Sequence, residues 1–236
     1  MLGNVRIDGI VEYTRGQIEC RAADLLRRRV DVAFRAPINV EVLLENTPDV
    51  HIEDMLGLKN KYSVEGGVCT EDDTRELTVL IDYHLMNGPD DAGYNAAIAE
   101  ELSHIVLHRG VIQQIKSMDG FIQFRRCPQW KQIELDARSF SAAVRMPEAL
   151  ISRRAEAVYR EIMENTSFGD PHAAAMLVRN RLAEIFVVPV ADMHSRLVQW
   201  PCQVMARVIA SAERRSESLL SSEPVHRYSQ RAFIDE

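Results

Sequence analysis

The chain has 236 residues, of which 46% are hydrophobic and 27% are charged, and its formal net charge at pH 7 is −7. This size and composition are sufficient for one large domain with its own core, and they exclude a wholly disordered chain. The negative charge argues against unspecific binding to nucleic acid or to an anionic membrane, because both kinds of partner attract basic surfaces.

The cysteines and the apolar segments argue against two further classes of protein. The four cysteines lie far apart without a CxxC pair, which argues against a cysteine zinc site and is typical of reduced thiols in the cytoplasm. The opening residues, "MLGNVRIDGIVEYTRG", lack the apolar core of a signal peptide, and no run of about 18 apolar residues is present that could span a membrane. We therefore expect a cytoplasmic protein.

The first third of the chain predicts two helices followed by a small sheet. Apolar residues recur at helical spacing over 18–34, and Pro37 ends that helix. The segment "INVEVLLENT" predicts a short helix with Asn39 near its start. The segments "DVHIEDM", "YSVEGGVCT" and "RELTVLIDYHL" are β-rich and are separated by turn residues, so we predict an antiparallel sheet over about 50–84 that ends in the strand Leu77–His84.

From residue 94 onward the pattern is almost wholly helical. Asp90 or Asp91 can cap the first of these helices. The sequence assigns no structure to the connecting stretch 109–128, and the polar end, "SESLLSSEPVHRYSQRAFIDE", predicts a loosely held tail. The predicted helices cover 94–109, 129–145, 148–164, 171–186 and 190–198, with another near 203–218.

The segment "AAIAEELSHIVLHRG", residues 96–110, carries the strongest chemical signal. Glu100 and His104 are four residues apart, so they share one helix face and can reach one cation, with Glu101 beside them. Zinc proteases have the pattern His-Glu-x-x-His, in which the middle glutamate is the general base. Here a glutamate replaces the first histidine, and a carboxylate is an acceptable zinc ligand. Adjacent glutamates are usually a solvated helix face, so the pattern alone is weak evidence.

His108 is also four residues from His104, but in that frame Ile105 takes the place of the base. Residues 100 and 108 are about 12 Å apart along a helix axis, so they cannot share one ion with His104. We therefore predict a supporting role for His108.

A catalytic zinc ion usually has three protein ligands, so a third ligand is expected from another helix. The segment "WKQIELDARSFSAAVRMP" offers Glu134 and Asp136. Glu134 shares a helix face with Arg138, whereas Asp136 points elsewhere. We prefer Glu134 as the ligand and give Asp136 a supporting role.

Four segments, in this order, resemble the ImmA/IrrE family of metallopeptidases. They are "APINVEVLLENT", the metal helix "AEELSHIVLH", the helix that runs from Glu134 to Pro147, and the closing pair "RLAEIFVVPVADMHSRLVQW". Order and spacing agree over about 21–200. The resemblance implies a mainly helical α+β zincin-like fold with a small antiparallel β-sheet before the metal-binding helix.

The resemblance also implies a domain organisation. Residues 1–17 form an N-terminal extension, 18–200 form the ImmA/IrrE-like domain with its closing helix pair at about 171–200, and 201–236 form a C-terminal helix and a polar tail.

Carried over by position, His104 and Glu134 resemble the metal ligands of the family and Glu101 resembles its general base. Two positions depart from the pattern. Glu100 stands where the first histidine ligand belongs, and Arg138 stands where Asn or Asp usually follows. We predict that Arg138 braces the second carboxylate oxygen of Glu100, because arginine forms strong charge-assisted hydrogen bonds with carboxylates.

These residues, together with the resemblance, predict a metal-dependent endopeptidase that hydrolyses a peptide bond by attack of water, with Glu101 as the base. The expected cofactor is zinc, with manganese or iron(II) as alternatives, since oxygen ligands favour those metals. A dication with two glutamates and a neutral histidine carries no net charge, so we expect slower hydrolysis than in the family pattern. The strand Leu77–His84 can pair with an extended substrate, and His84 or Tyr94 can assist the oxyanion or the substrate. The family implies a protein substrate, namely a helix-turn-helix repressor in phage-like or stress-response regulation.

Two other functions are compatible with the sequence. The replacement by Glu100 is also expected in a catalytically degenerate scaffold that binds a regulatory protein without cleaving it. The pair "LAEIFVVPVADMHSRLVQW" resembles a helix-turn-helix, but its second helix has one arginine and no lysine. We therefore expect no direct binding of nucleic acid.

Overall fold

A computed structural model of the chain describes residues 9–29, 35–70, 76–165 and 170–222. The described part is mainly helical and contains one three-stranded sheet, which confirms the α+β class. The elements in chain order are α1 (Arg15–Arg27), α2 (Val40–Glu45), β1 (Val50–Met55), α3 (Leu58–Tyr62), β2 (Gly66–Thr70), β3 (Leu77–Asp82), α4 (Tyr83–Met86), α5 (Asp91–Ile112), α6 (Met118–Arg125), α7 (Trp130–Arg145), α8 (Glu148–Asn165), α9 (Pro171–Phe186), α10 (Val190–Val198) and α11 (Val204–Ser222).

Side-chain caps explain where several helices begin. Asn39 accepts a hydrogen bond from the Val42 amide at the start of α2, and Asp90 caps α5, as predicted. Helix α1 begins three residues earlier than predicted, because Thr14 and Gln17 form a capping box. It ends at Arg27, and residues 30–34 of the predicted helix lie outside the described residues.

The sheet has the order β1-β3-β2 and is mixed. β2 pairs antiparallel with β3, with Gly66 opposite Ile81, whereas β1 pairs parallel with β3, with Val50 opposite Leu77. The prediction of an antiparallel sheet is therefore wrong for β1. Strand β3 takes the central place because it is the most apolar of the three strands, and five of its six residues are buried there.

Strand β3 also ends earlier than predicted. Asp82 accepts a hydrogen bond from the His84 amide, so the chain turns into α4 after Asp82 instead of continuing as a strand to His84. The stretch 109–128, to which the sequence assigns no structure, contains the end of α5 and all of α6.

Helix α5 runs through the middle of the core. Its apolar residues lie all round the helix, and Ile98 and Leu102 are completely buried, as expected of a helix covered on every side. It packs most extensively against α7 and also contacts β2, β3 and α2. The polar residues of α5 that face α7 are therefore enclosed between two helices.

The terminal helices close around this core. Tyr13, which lies in the segment predicted as an extension, donates a hydrogen bond to the Leu107 carbonyl of α5 at 2.8 Å. Helices α9 and α10 have the predicted bounds, and the turn between them places Val187 at a φ of 51°. Helix α11 extends to Ser222, into the predicted tail, and residues 223–236 lie outside the described part. Within the described ranges, no helix combines the length and the apolar character that crossing a bilayer requires.

Candidate metal centre

The three predicted ligands converge between α5 and α7. Glu100 and His104 lie one turn apart on α5, Glu134 lies on α7, and each offers one ligand atom within 4.8 Å of the others. His104 Nε2 is 3.8 Å from Glu134 Oε1, and the His104 side chain is 1% exposed. Among the residues that the structure describes, this group of His, Cys, Asp and Glu side chains is the one that could hold a metal ion.

The protonation of these groups fits a cation. Burial lowers the pKa of His104 to about 4, so its imidazole is neutral at pH 7, as a metal ligand must be. Burial, together with the charge of Glu134, raises the pKa of Glu100 to about 7. The two carboxylates therefore repel each other in the metal-free protein, and a divalent cation between them would relieve this repulsion.

Trp130 contacts two of the three candidate ligands. Its indole Nε1–H donates a hydrogen bond to Glu134 Oε1, and its ring stacks on His104 with the centroids 5.3 Å apart. Trp130 is 2% exposed, so its own position is fixed by the core. Sequence reasoning missed this residue, although its spacing of four from Glu134 on one helix was a usable signal.

Glu101 lies beside the candidate ligands, and its carboxyl group faces Gly66 at the start of β2. It is 5% exposed, and its Oε2 has no hydrogen-bond partner among the described residues. A Cβ atom added at Gly66, the first residue of β2, would lie 2.8 Å from Glu101 Oε1. Burial, followed by the charges of Glu100 and Glu134, raises the pKa of Glu101 well above its usual range. Glu101 is thus a buried carboxyl group with a free oxygen next to the candidate ligands.

The three candidate ligands and Glu101 all line one cavity of about 470 Å³, which we call the metal cavity. Its wall includes the start of β2 and the side chains of Phe121 and Arg125 from α6. The positive charge of Arg125 lowers the pKa of Glu100, Glu101 and His104. Sequence reasoning missed Arg125, because it lies in the stretch to which no structure was assigned.

Arg138 also lines the metal cavity, but its ion pair is not the predicted one. Its Nη2 lies 3.9 Å from Glu134 Oε2, and its side chain is 69% exposed. The charge of Arg138 lowers the pKa of Glu100, although the structure shows the ion pair with Glu134 in place of the predicted brace on Glu100. The reason is that Arg138 and Glu134 are four residues apart on the same helix.

His108 and Asp136 form a second buried pair next to the metal centre. His108 Nε2 lies 3.6 Å from Asp136 Oδ2, and both side chains are almost completely buried. Gln132 donates a hydrogen bond to Asp136 Oδ1 at 2.8 Å, and the ring of Tyr13 meets the edge of the His108 ring. Helix α5 is kinked at His108, where φ is −128° and ψ is 27°. As predicted, Asp136 points away from the candidate ligands. The pair of His108 and Asp136 is a buried contact between α5 and α7.

The structure does not bring the predicted oxyanion residues to this cavity. His84 is exposed on α4, and the Tyr94 hydroxyl donates a hydrogen bond to Glu41 Oε1 at 3.0 Å. Neither residue lines the metal cavity. The predicted substrate strand is also wrong, because both edges of β3 are already paired inside the sheet.

A scan against protein-family models finds no match, and a search of curated proteins finds no significant relative. The candidate centre therefore rests on its geometry and on the chemistry of its donor atoms.

Proposed function

We propose that the protein is a metal-dependent endopeptidase of zincin-like fold, similar to the ImmA/IrrE family. In this proposal Glu100, His104 and Glu134 hold the cation, and Glu101 is the general base. The observation that carries it is that one cavity collects a buried neutral histidine, two ligand carboxylates and a third carboxylate with a free oxygen. An ordinary solvated helix face would not bury these groups together.

The chemistry follows from the positions of the groups. A bound zinc, manganese or iron(II) ion would act as a Lewis acid on the scissile carbonyl and would acidify water. Glu101 accepts a proton from the attacking water as the water oxygen forms its bond to the carbonyl carbon. The C–N bond of the resulting tetrahedral species then breaks as Glu101 returns the proton to the leaving nitrogen. Burial raises the pKa of Glu101 above its usual range, which makes its carboxylate a stronger base than an exposed glutamate.

The start of β2 offers a place for an extended substrate. The Thr70 amide points to the outer edge of β2, where it donates a hydrogen bond to the Ile115 carbonyl at 2.8 Å. Because backbone groups in an antiparallel strand alternate between the two edges, those of Gly66 point to the same outer edge. Gly66 lines the metal cavity, and within the described ranges its backbone has no hydrogen-bond partner on that edge. A peptide that pairs there would lie beside Glu101.

The proposed substrate is therefore an extended segment of a protein. The resemblance to the ImmA/IrrE family favours a helix-turn-helix repressor, which the protein would cut in phage-like or stress-response regulation.

The substitution Glu101→Gln tests this function directly. We expect purified protein supplied with zinc, manganese or iron(II) to cleave an unstructured protein substrate, and we expect the variant to lose about a hundredfold or more of the turnover. Because Glu101 is not one of the proposed ligands, elemental analysis of the variant should give the same metal content as the unaltered chain. Undiminished turnover in the variant would exclude Glu101 as the base.

The second candidate function is a catalytically degenerate scaffold that binds a regulatory protein without cleaving it. Glu100 favours it, because a centre with two carboxylate ligands has no net charge and activates water less. The same elemental analysis separates the two functions: protein that retains none of the three metals after they are supplied would support the scaffold.

A further inference from the structure

A second cavity, of about 430 Å³, lies beside the metal cavity and shares Ala96, Glu100 and Arg138 with it. Its wall is built from α1, α5, α7 and α10. We refer to it as the arginine cavity, because four of its lining residues are Arg15, Arg138, Arg145 and Arg196.

Most of these arginines have a clear partner. Arg196 donates to both carboxylate oxygens of Glu19 and to the Met146 carbonyl, and Arg138 has its ion pair with Glu134. Arg15, in contrast, donates to the amide oxygen of Gln199. Among the described ion pairs, Arg15 is therefore the one arginine of this wall without a carboxylate partner.

Arg145 is the unusual member of the group. It is 8% exposed, and its Nη2 lies 3.3 Å from Asp192 Oδ2. Its Nε and Nη1 are buried and have no hydrogen-bond partner in the described part of the chain. Buried donors without a partner are costly and rare, and they indicate a site that a polar ligand completes.

Asp192 is suited to give way to such a ligand. Its side chain is 43% exposed, so after leaving Arg145 it can return to water. The guanidinium, released from this one contact, can then present its free N–H groups to the cavity that it lines.

We propose that the arginine cavity binds a carboxylate group of the substrate, which displaces Asp192 from Arg145. The substrate in question is the peptide of the proposed function, so this inference rests on that function and assigns it a preference for an acidic group near the scissile bond. A carboxylate is the group that Asp192 already presents to Arg145, so a substrate carboxylate can take its place with the same kind of charge-assisted hydrogen bond.

The test uses the full chain freed of metal with EDTA, so that binding is measured without cleavage. Short fluorescent alanine-based peptides carry one internal Glu, a Gln in its place, or a Gln with a free terminal carboxylate, and fluorescence anisotropy gives their dissociation constants. We expect the Glu peptide to bind about tenfold more tightly than the Gln peptide, as charge-assisted hydrogen bonds predict. A preference for the free terminal carboxylate over internal Glu would identify the chain end as the source of the same group.

Three variants locate the effect. Arg145→Met should abolish the preference for the acidic peptide, and Asp192→Asn should strengthen it, because the competing carboxylate is removed. Arg154→Met, on the exposed surface of α8, is the matched control and should change nothing. Equal binding of the Glu and Gln peptides, including no measurable binding of either, overturns the proposal, as does an unaltered preference in Arg145→Met.

These binding experiments can fail or succeed independently of the endopeptidase activity. Metal-dependent cleavage without any acidic preference would leave the endopeptidase intact and remove this inference. If the protein prefers acidic peptides through Arg145 but cleaves no substrate, the carboxylate site in the arginine cavity is supported and the endopeptidase function is excluded.

Discussion

Burial, together with the nearby charge of Glu134, raises the pKa of Glu100 from 4.5 to about 7. Because this pKa is higher in the folded chain than in the unfolded chain, folding takes up a proton between these pH values. The ionised carboxylate therefore destabilises the metal-free fold above pH 7, and this destabilisation disappears below about pH 4.5, where Glu100 is protonated in both states.

The variant Glu100→Gln should separate stability from metal binding. In metal-free protein we expect a higher melting temperature than in the unaltered chain at pH 8 and no difference at about pH 4.5. Added zinc should raise the melting temperature of the unaltered chain and have little effect on the variant, because one ligand is lost. Glu156→Gln, at a side chain that is 76% exposed, is the control. A less stable metal-free variant at pH 8 would contradict this account of Glu100.

Gly66 is the second residue whose identity bears on the chemistry. A Cβ atom at this position would meet Glu101 Oε1 at 2.8 Å and Glu101 Cγ at 3.1 Å. Position 66 therefore needs a glycine for the space beside the proposed base.

We expect Gly66→Ala to reduce turnover strongly while the metal content stays the same, because the added methyl group displaces the Glu101 carboxylate and leaves the ligands in place. Gly110→Ala is the matched control, since a Cβ there meets no atom within 4 Å and alanine favours the helix. Peptidase rates and elemental analysis of both variants provide the measurement. Full activity of Gly66→Ala would mean that Glu101 does not act from its observed position.

At the scale of elements, local signals explain what could be predicted from the sequence. Helix α9 has its predicted bounds because Asp170 caps it and Pro171 opens it, and both signals lie in adjacent residues. Glu100 and His104 could be paired because a single helix sets their spacing. The parallel pairing of β1 with β3 could not be predicted, because it depends on which strand occupies the centre of the sheet.

The same reasoning explains which parts of the site were missed. Arg125 reaches the metal cavity, and the ring of Trp130 reaches His104, only through the packing of α6 and α7 against α5, and no local pattern specifies that packing. The contact of Trp130 with Glu134, in contrast, lies within one helix and follows from their spacing of four residues. Arg138 was assigned to Glu100 across two helices, whereas the structure pairs it with the nearer Glu134 on its own helix.

The packing of α7 against α5 gives a prediction for Trp130. Trp130→Phe keeps an aromatic ring beside His104 but removes the hydrogen bond to Glu134, so we expect metal affinity to fall about tenfold or more while the fold persists. Competition with a chelator measures the affinity, and circular dichroism checks the fold. Trp200→Phe, at a residue that is 48% exposed, is the control. Equal affinities in the two variants would remove the positioning role of Trp130.

At the scale of the whole molecule, Arg196 joins the first helix of the described chain to two helices that lie far from it in sequence. This residue of α10 is 4% exposed and binds Glu19 of α1 as well as the Met146 carbonyl at the end of α7. Three distant parts of the chain therefore meet at one guanidinium.

We expect Arg196→Met to lower the free energy of unfolding by about 3 kcal/mol, because Glu19 is left partly buried without its cation. Urea titration measures this change. Arg160→Met, which breaks an exposed pair with Glu156, should cost less than about 1 kcal/mol. A similar loss in both variants would show that Arg196 does not join the helices energetically.

The wall shared by the two cavities would couple binding in one cavity to binding in the other. Glu100 lines both the metal cavity and the arginine cavity. A cation that offsets the negative charge of Glu100 would therefore also raise the affinity of the arginine cavity for an acidic peptide. Thermodynamic coupling is reciprocal, so the peptide would strengthen retention of the cation by the same factor. Binding of the cation and of the acidic peptide would then be cooperative, so that each would be bound most tightly when the other is present.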